Sequence, residues 1–205
     1  MSVVHTVAAQ LYSVRDFCKT AEQAGETLRK LRAHGYRNVQ VSGAIDALDP
    51  QTVGRLCAEA GVRIVGHHLA LDTLRNHFAD VVKKLQGWGC RYTAVAYLPK
   101  EERPDAAAYL ARAREMSDFG RRLRAEGITL QYHNHAFEFI DHGGVTGMDI
   151  LLRETDPELV TIELDVYWVK HAGLDPAAFI REHAGRFPIV HLKDMTAEGS
   201  EGHTF

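Results

Sequence analysis

Short apolar runs alternate with amphipathic stretches along the chain, and this alternation is the feature that most restricts its fold. The runs that predict strands cover residues 7–12, 36–41, 62–69, 92–97, 128–133, 160–167 and 188–192. Between them, apolar residues recur at the three- and four-residue spacing of a helix that is buried on one side. Strands that alternate with helices over short links are typical of a parallel sheet. We therefore predict seven β/α units, the last without its helix, in a single domain spanning residues 1–205.

Glycine marks the places where four of the predicted helices end. Gly35, Gly61, Gly89 and Gly127 each stand between a helical pattern and the next apolar run. Glycine accepts the left-handed conformation that commonly ends a helix. These positions therefore predict the helix-to-strand junctions.

Composition argues against several classes of protein. The 205 residues are 45% hydrophobic and 25% charged, which is enough apolar material for a packed core. A net charge of −3 without a basic cluster disfavours nucleic-acid binding, and no apolar run approaches the roughly 18 residues of a membrane helix. The first five residues lack the features of a secretory signal, and three scattered cysteines favour a reducing compartment. We therefore expect a cytoplasmic protein.

Polar residues within the strands separate a barrel from an open, doubly wound sheet. The first strand carries no Gly-x-Gly-x-x-Gly fingerprint, which disfavours a dinucleotide site. Strands buried on both faces are usually apolar throughout, yet three late runs are polar at alternate positions. These positions are Gln131, His133, His135, Glu163, Asp165, Tyr167, His191 and Lys193. A polar face near the carboxyl ends of strands is what a barrel with a polar mouth requires, so we predict a (β/α)8-type TIM barrel, truncated after the seventh strand.

Clusters of imidazoles and carboxylates end four of the predicted strands. They lie at residues 66–68, 132–139, 163–168 and 190–195. Mixed oxygen and nitrogen ligands suit a divalent ion such as Mn²⁺, Co²⁺, Zn²⁺ or Mg²⁺. Such an ion polarises a carbonyl and stabilises an enediolate, while a neighbouring carboxylate, histidine or lysine moves the proton.

The predicted metal ligands are His133, Glu138, Asp165 and His191. Asp165 is the most constrained of them, because a buried carboxylate needs a metal or another cation nearby. Glu138 is either a ligand or a solvated loop acid. His133 and His135 are each a ligand, a support for a ligand or a substrate contact. Glu163 is a structural partner of Lys193 or a member of an internal network.

The predicted catalytic residues are Glu138, His135 and Lys193, and the predicted substrate-binding residues are Tyr12, His68, Tyr167, Trp168 and Lys193. The three aromatic residues have a simpler alternative, which is a place in the core. Lys193 contacts a substrate hydroxyl or phosphate, or else pairs with Asp194.

Four motifs resemble one known family over nearly the whole chain. They are Leu-Tyr-Ser-Val-Arg at 11–15, Tyr-His-Asn-His-x-Phe-Glu-Phe at 132–139, Leu-Asp-Val-Tyr-Trp at 164–168 and His-Leu-Lys-Asp-Met at 191–195. They are similar to the sugar phosphate isomerase/epimerase proteins of the xylose-isomerase-like TIM-barrel superfamily. The resemblance implies a divalent metal at the carboxyl mouth of the barrel, with Asp165 as the ligand from strand six and His191 as the ligand from strand seven.

The chain departs from that family in two places. Many members place a glutamate within strand five, at about Gln131, which leaves His133 or Glu138 for this role. The family also continues to an eighth strand whose glutamate is a ligand and an acid/base, whereas this chain ends at residue 205. We therefore expect weak or no turnover from this chain alone.

The function that these features favour is a metal-dependent isomerase or epimerase of carbohydrate metabolism. It would remove a proton next to the carbonyl of a sugar or sugar phosphate and pass through an enediolate. A lyase or dehydratase acting on a keto-polyol or 3-keto-glycoside begins with the same step and stays open, as does an inactive, sugar-binding fragment. A phosphodiesterase acting on abasic DNA is disfavoured by the charge. The expected partner is a small carbohydrate, without nucleic acid or membrane, and a homo-oligomer stays open.

Overall fold

A computed structural model of the chain describes residues 6–194 and contains seven strands and seven α-helices there. One helix follows each of the first five strands, and two helices lie between the sixth strand and the seventh. The strands are β1 (Ala9–Gln10), β2 (Asn38–Val41), β3 (Arg63–Leu69), β4 (Tyr92–Val95), β5 (Thr129–His133), β6 (Val160–Asp165) and β7 (Ile189–His191). They are neighbours in the order of the sequence, and the pairs β1–β2, β2–β3, β5–β6 and β6–β7 are parallel. The predicted α/β class is confirmed, with the strand order of the first seven units of a (β/α)8 barrel.

The helices are α1 (Ala21–Ala33), α2 (Pro50–Ala60), α3 (Leu71–Trp88), α4 (Ala106–Ala125), α5 (Gly147–Glu154), α6 (Val166–His171) and α7 (Pro176–Glu182). Short 3₁₀ turns cover Leu11–Phe17, Gly43–Ala47, Lys100–Glu102 and Phe137–Phe139. Within the described residues, no helix is long and apolar enough to cross a membrane. The predicted absences of a secretory signal at residues 1–5 and of an eighth strand at the end of the chain concern segments outside the described residues.

Four predicted strands end earlier than expected, at Gln10, Val95, Asp165 and His191, and two of them run directly into a helical turn. The run 7–12 forms only β1, because the backbone turns into the 3₁₀ segment Leu11–Phe17, where Arg15 donates to the Tyr12 carbonyl at 2.8 Å. The run 160–167 ends at Asp165, whose side chain accepts the Tyr167 N–H and so begins α6. Tyr167 therefore lies in a helix, and the expectation that it continues the polar face of the sixth strand is wrong.

The four predicted glycine junctions are confirmed. Gly35, Gly61, Gly89 and Gly127 have φ angles of 96°, 70°, 63° and 75°. Each follows the end of a helix and precedes the next strand, in a backbone region that other residues rarely adopt.

The described residues fall into two compact units, and the single domain that we predicted stays a prediction. The first unit comprises the described residues up to Leu69 and Thr73–Thr93. A buried polar network lies inside it: His67 Nδ1 lies 3.0 Å from Thr93 Oγ1, while His67 Nε2 and Lys84 Nζ both lie 3.0 Å from Asp46 Oδ1. These contacts tie β3 to the Gly43–Ala47 turn and to α3.

The second unit comprises Ala70–Asp72 and the described residues from Ala94 onward, and its helix α4 packs very closely on the start of β6. A Cβ atom placed on Gly120 of α4 would lie 2.4 Å from the Leu159 carbonyl oxygen, which belongs to backbone and cannot rotate away. Glycine is therefore required here by the close approach of the helix to the sheet.

We predict that Gly120→Ala destabilises the protein by about 1–3 kcal/mol, because α4 must move away from β6. The matched control is Gly87→Ala, a helical glycine of α3 with nothing within 4 Å of its Cβ position. That change should stabilise by roughly 0.5–1 kcal/mol, as expected for an exposed helix position. Urea unfolding of both variants measures the contrast, and equal effects would contradict the close packing.

Candidate functional site

Asp165 is a fully buried carboxylate at the carboxyl end of β6. Its Oδ1 accepts the Tyr167 N–H at 3.1 Å and caps α6, which fixes the carboxylate plane. Its Oδ2 lies 3.3 Å from His133 Nε2 and 2.6 Å from Lys193 Nζ. Groups from three consecutive strand ends therefore meet at one oxygen.

His191 lies beside this carboxylate on β7 and is paired with a second one. Its Nε2 lies 2.8 Å from Glu163 Oε1, and its Nδ1 lies 3.7 Å from Asp165 Oδ2. The register explains the proximity, since Asp165 pairs with His191 across β6–β7 and His133 pairs with Glu163 across β5–β6. The predicted convergence of His133, Asp165, His191 and Lys193 is present in the structure.

The charges of these groups stabilise one another. Burial favours the neutral acid of Asp165, but the adjacent imidazoles of His133 and His191 and the charge of Lys193 outweigh it and hold its pKa well below the usual range. Burial also disfavours imidazolium at His191, yet the carboxylates of Glu163 and Asp165 outweigh it and raise its pKa to about 9. The site therefore holds two buried carboxylates surrounded by protonated groups.

His133 shows that the site suits a cation. Its Nδ1 lies 3.2 Å from the Ala96 carbonyl oxygen, which can only accept, so the hydrogen of a neutral imidazole belongs on Nδ1. Nε2 lies 3.3 Å from Asp165 Oδ2, and either a proton on Nε2 or a bound cation can bridge this pair of atoms. Metal-binding histidines commonly donate their second ring N–H to a backbone carbonyl in this way.

The donor set fits a divalent ion. His133, Asp165 and His191 each offer one buried ligand atom, and these atoms lie within 4.8 Å of one another. Two imidazole nitrogens and one carboxylate oxygen suit Mn²⁺, Co²⁺ or Zn²⁺ better than Mg²⁺, which prefers oxygen ligands. The metal-ligand roles of these three residues stay predictions.

Asn134 is a functional candidate that the motif contained and that we did not single out. Its buried side chain accepts the Asp165 N–H at 2.8 Å through Oδ1, and its Nδ2 donates to the Asp165 carbonyl at 3.4 Å. The amide thus takes the place of backbone pairing where β5 and β6 end, and it fixes the backbone of Asp165. Its position between two histidines of a conspicuous polar run was the available signal.

Glu138 is fully buried, so the alternative of a solvated loop acid is wrong. The Tyr132 hydroxyl donates to its Oε1 at 2.5 Å, and the His135 N–H donates to its Oε2 at 2.8 Å. Both oxygens are therefore engaged in closing the turn after β5. The structure does not group Glu138 with His133, Asp165 and His191, and its catalytic and metal-ligand roles stay predictions.

Aromatic rings surround the predicted catalytic residue His135. Its imidazole lies parallel to Phe137, with centroids 5.2 Å apart, and 5.2 Å from the Trp168 ring. Tyr97, which is 45% exposed, contacts both His135 and Phe137 edge-on at 5.5 and 5.3 Å. His135 also meets His133 at 4.9 Å, so this aromatic group adjoins the donor set.

The remaining predicted substrate residues lie in different surroundings. Trp168 is half-buried in the aromatic group, while Tyr167 is buried against it at 4.8 Å, which also agrees with a core role for Tyr167. Tyr12 and His68 belong to the first unit, where Tyr12 carries the Arg15 guanidinium over its ring and His68 Nδ1 lies 3.3 Å from Ser42 Oγ.

The structure shows one ion pair for each of the two residues whose partners the sequence left open. Glu163 pairs with His191, which agrees with the alternative of an internal network, and Lys193 places its ammonium on Asp165, while its contact with substrate stays a prediction. The physical reason is the register: Asp165 and His191 are paired across β6–β7, and Lys193 follows His191 by two residues. Lys193 therefore reaches the carboxylate at the very end of β6.

No family model matches the chain. Among curated proteins, it is 23% identical over 196 residues to an inosose dehydratase of Geobacillus kaustophilus, covering 83% of this chain and 61% of that protein. It is 31% identical over 86 residues to an inosose dehydratase of Mesomycoplasma hyopneumoniae, covering 42% and 28%. The matched part thus spans less than two thirds of these curated relatives.

Solved structures share the fold at greater coverage. A sugar phosphate isomerase/epimerase of Parabacteroides distasonis aligns with a TM-score of 0.80 and 20% identity over 94% of this chain and 76% of that one. A xylose isomerase-like TIM-barrel protein of Mycobacterium smegmatis, crystallised in complex with magnesium, aligns with a TM-score of 0.69 and 14% identity over 95% and 78%. The resemblance to these barrels is confirmed at the level of the fold.

We predict that Asn134→Ala destabilises the protein by about 1–3 kcal/mol, because it leaves the buried Asp165 N–H without its acceptor. Urea unfolding measures the loss, and amide hydrogen exchange at Asp165 should accelerate. The control Lys83→Ala, at an exposed position of α3, should change stability by no more than about 0.5 kcal/mol. Unchanged exchange at Asp165 would show that the Asn134 amide does not hold this backbone.

A second prediction concerns the pKa of Glu138. Burial raises this pKa from its ordinary 4.5 to about 7, although the hydrogen bonds from Tyr132 and His135 lower it. The folded state therefore binds this proton more tightly than the unfolded chain does, and the wild type loses this stability as pH rises from about 4.5 to about 7. Glu138→Gln stays neutral, so its stability relative to wild type should rise by roughly 2–3 kcal/mol between pH 5 and pH 8. Urea unfolding across this range tests it, and a pH-independent difference would contradict it.

Proposed function

We propose that the chain carries the site of a metal-dependent sugar or sugar phosphate isomerase/epimerase, which moves a proton next to a carbonyl through an enediolate. The observation that carries this proposal is the buried donor set of His133, Asp165 and His191, whose ligand atoms lie within 4.8 Å of one another. The fold shared with the sugar phosphate isomerase/epimerase of P. distasonis supports the same class. Because the chain spans only part of its curated relatives, the activity of a whole protein is part of this proposal.

His133, Asp165 and His191 would hold the ion. When bound, a divalent ion polarises a carbonyl and stabilises negative charge on its oxygen. Asp165 needs no rearrangement of its backbone to serve as a ligand, since Asn134 and the α6 cap already fix it. Asn134 and Glu163 therefore act as positioning residues, the first for Asp165 and the second for His191.

We infer that Lys193 and His135 transfer the protons. Lys193 Nζ is a donor held at Asp165 Oδ2, and its side chain keeps 16% exposure, so it can also reach a ligand oxygen. The half-buried His135 ring adjoins His133 and is oriented by Phe137 and Trp168. We assign proton transfer to these two groups, with Lys193 also binding a substrate hydroxyl or phosphate.

Dehydration of a keto-polyol is the second candidate, and the curated relatives favour it. The matches to G. kaustophilus and M. hyopneumoniae are both inosose dehydratases. Removal of a proton next to a carbonyl also begins this reaction, and it then continues with loss of a hydroxyl group. The two candidates therefore require the same residues and differ in the product. We further propose a cytoplasmic protein whose ligand is a small carbohydrate.

We predict that the purified chain binds close to one Mn²⁺, Co²⁺, Zn²⁺ or Mg²⁺, and that Asp165→Ala abolishes this binding because the central ligand is lost. Plasma mass spectrometry after loading and desalting measures the metal content. Turnover by the loaded chain alone is expected to be weak, and any that occurs should exchange a proton next to the carbonyl of a keto-sugar or inosose for solvent deuterium, as mass spectrometry detects.

The product separates the two candidates, and a surface variant controls for charge. Deuterium uptake with every hydroxyl retained favours an isomerase or epimerase, whereas loss of 18 Da favours a dehydratase. Asp118→Asn removes a carboxylate that is 75% exposed and should leave metal content unchanged. Absence of stoichiometric metal in the wild type after loading with each ion would overturn the proposed site.

A further inference from the structure

A second polar layer lies on the sheet face that carries His133 and Asp165. Gln131 precedes His133 by two residues on β5, and Thr161 precedes Glu163 by two residues on β6. Alternate residues of a strand point to the same face, so both side chains share the face of the site. They are also direct partners in the β5–β6 register, which places them side by side one layer before the pair His133 and Glu163.

The polar atoms of this layer are buried and have no bonding partner within residues 6–194. Gln131 is 0% exposed, and neither its Nε2 nor its Oε1 meets a hydrogen-bond partner there. The Thr161 hydroxyl oxygen is buried without a partner as well. Buried amides and hydroxyls are bonded in nearly all folded proteins, because an unmet bond costs stability. A partner that bonds Gln131 Nε2, Gln131 Oε1 and the Thr161 hydroxyl together would therefore stabilise the fold.

The arrangement fits water better than a direct bond or a dry cavity. Paired residues on adjacent strands lie about 4.8 Å apart, and no hydrogen bond joins the side chains of Gln131 and Thr161. A water molecule can accept from Gln131 Nε2, donate to Gln131 Oε1 and bond the Thr161 hydroxyl, which gives it the two to four partners that internal water has. Dry cavities, by contrast, are lined by apolar groups.

We propose that Gln131 and Thr161 form an internal water-binding site beneath the candidate metal site. The water completes the hydrogen bonds of a polar layer that precedes His133 and Glu163 along the strands. This inference is independent of the proposed catalytic function, since it rests on the bonding of these two side chains alone.

Nuclear magnetic resonance of the ¹⁵N-labelled wild-type chain tests the proposal directly. The Gln131 side-chain amide should show a nuclear Overhauser cross-peak to water. Its sign should be the one expected of a water molecule that stays bound for nanoseconds or longer. Triple-resonance spectra of the ¹³C,¹⁵N-labelled wild type assign this resonance. Absence of a water cross-peak at the assigned Gln131 amide would overturn the proposal, and this measurement does not depend on the folding of any variant.

A double-mutant cycle provides the second test. Gln131→Met and Thr161→Val should each lower the midpoint of urea unfolding, and the double variant should lower it by less than the sum, because both side chains share one water. The control pairs Gln131→Met with Thr155→Val, whose hydroxyl already donates to the Leu151 carbonyl at 2.6 Å. The changes in unfolding midpoint caused by these two substitutions should be additive. Additive effects for Gln131 and Thr161, or a higher midpoint in Gln131→Met, would indicate a dry layer and overturn the proposal.

Discussion

The buried negative charge of Asp165 is the constraint around which the second unit is arranged. A carboxylate without exposure is stable only when cations and donors surround it, and Lys193, His133 and His191 do so from the neighbouring strand ends. Asn134 and the first turn of α6 hold its backbone and its second oxygen. The same contacts that stabilise this charge leave its Oδ2 directed at two imidazoles.

A divalent ion would compete with protons for this site. Metal ligands bind in their deprotonated forms, so an imidazole that two carboxylates keep protonated must release its proton when it becomes a ligand. Lys193 neutralises the same oxygen that would become a ligand. The charges of the cluster are therefore paired with one another without a metal ion. Its ligand atoms nevertheless lie close enough together to bind one ion.

The polar run at 132–139 combines residues with separate tasks. His133 and His135 face the site, whereas Tyr132 and Glu138 bond to each other inside the unit and hold the turn that carries His135. The sequence left Glu138 as either a metal ligand or a solvated acid, because a glutamate in a loop is usually reachable by solvent. The neighbouring tyrosine, six residues earlier, was the sign that this carboxylate has an internal partner.

Alternating hydrophobicity and the junction glycines were enough to predict the α/β class and the strand order, because a period of two or of 3.6 residues depends on local chain geometry. They also predicted that His133, Asp165 and His191 meet, since parallel strands end at one edge. Only the tertiary structure decided which groups pair there. Register and burial decided that Lys193 bonds Asp165, that Glu163 bonds His191 and that Glu138 is buried, because such contacts depend on distances between strands rather than on position along the chain.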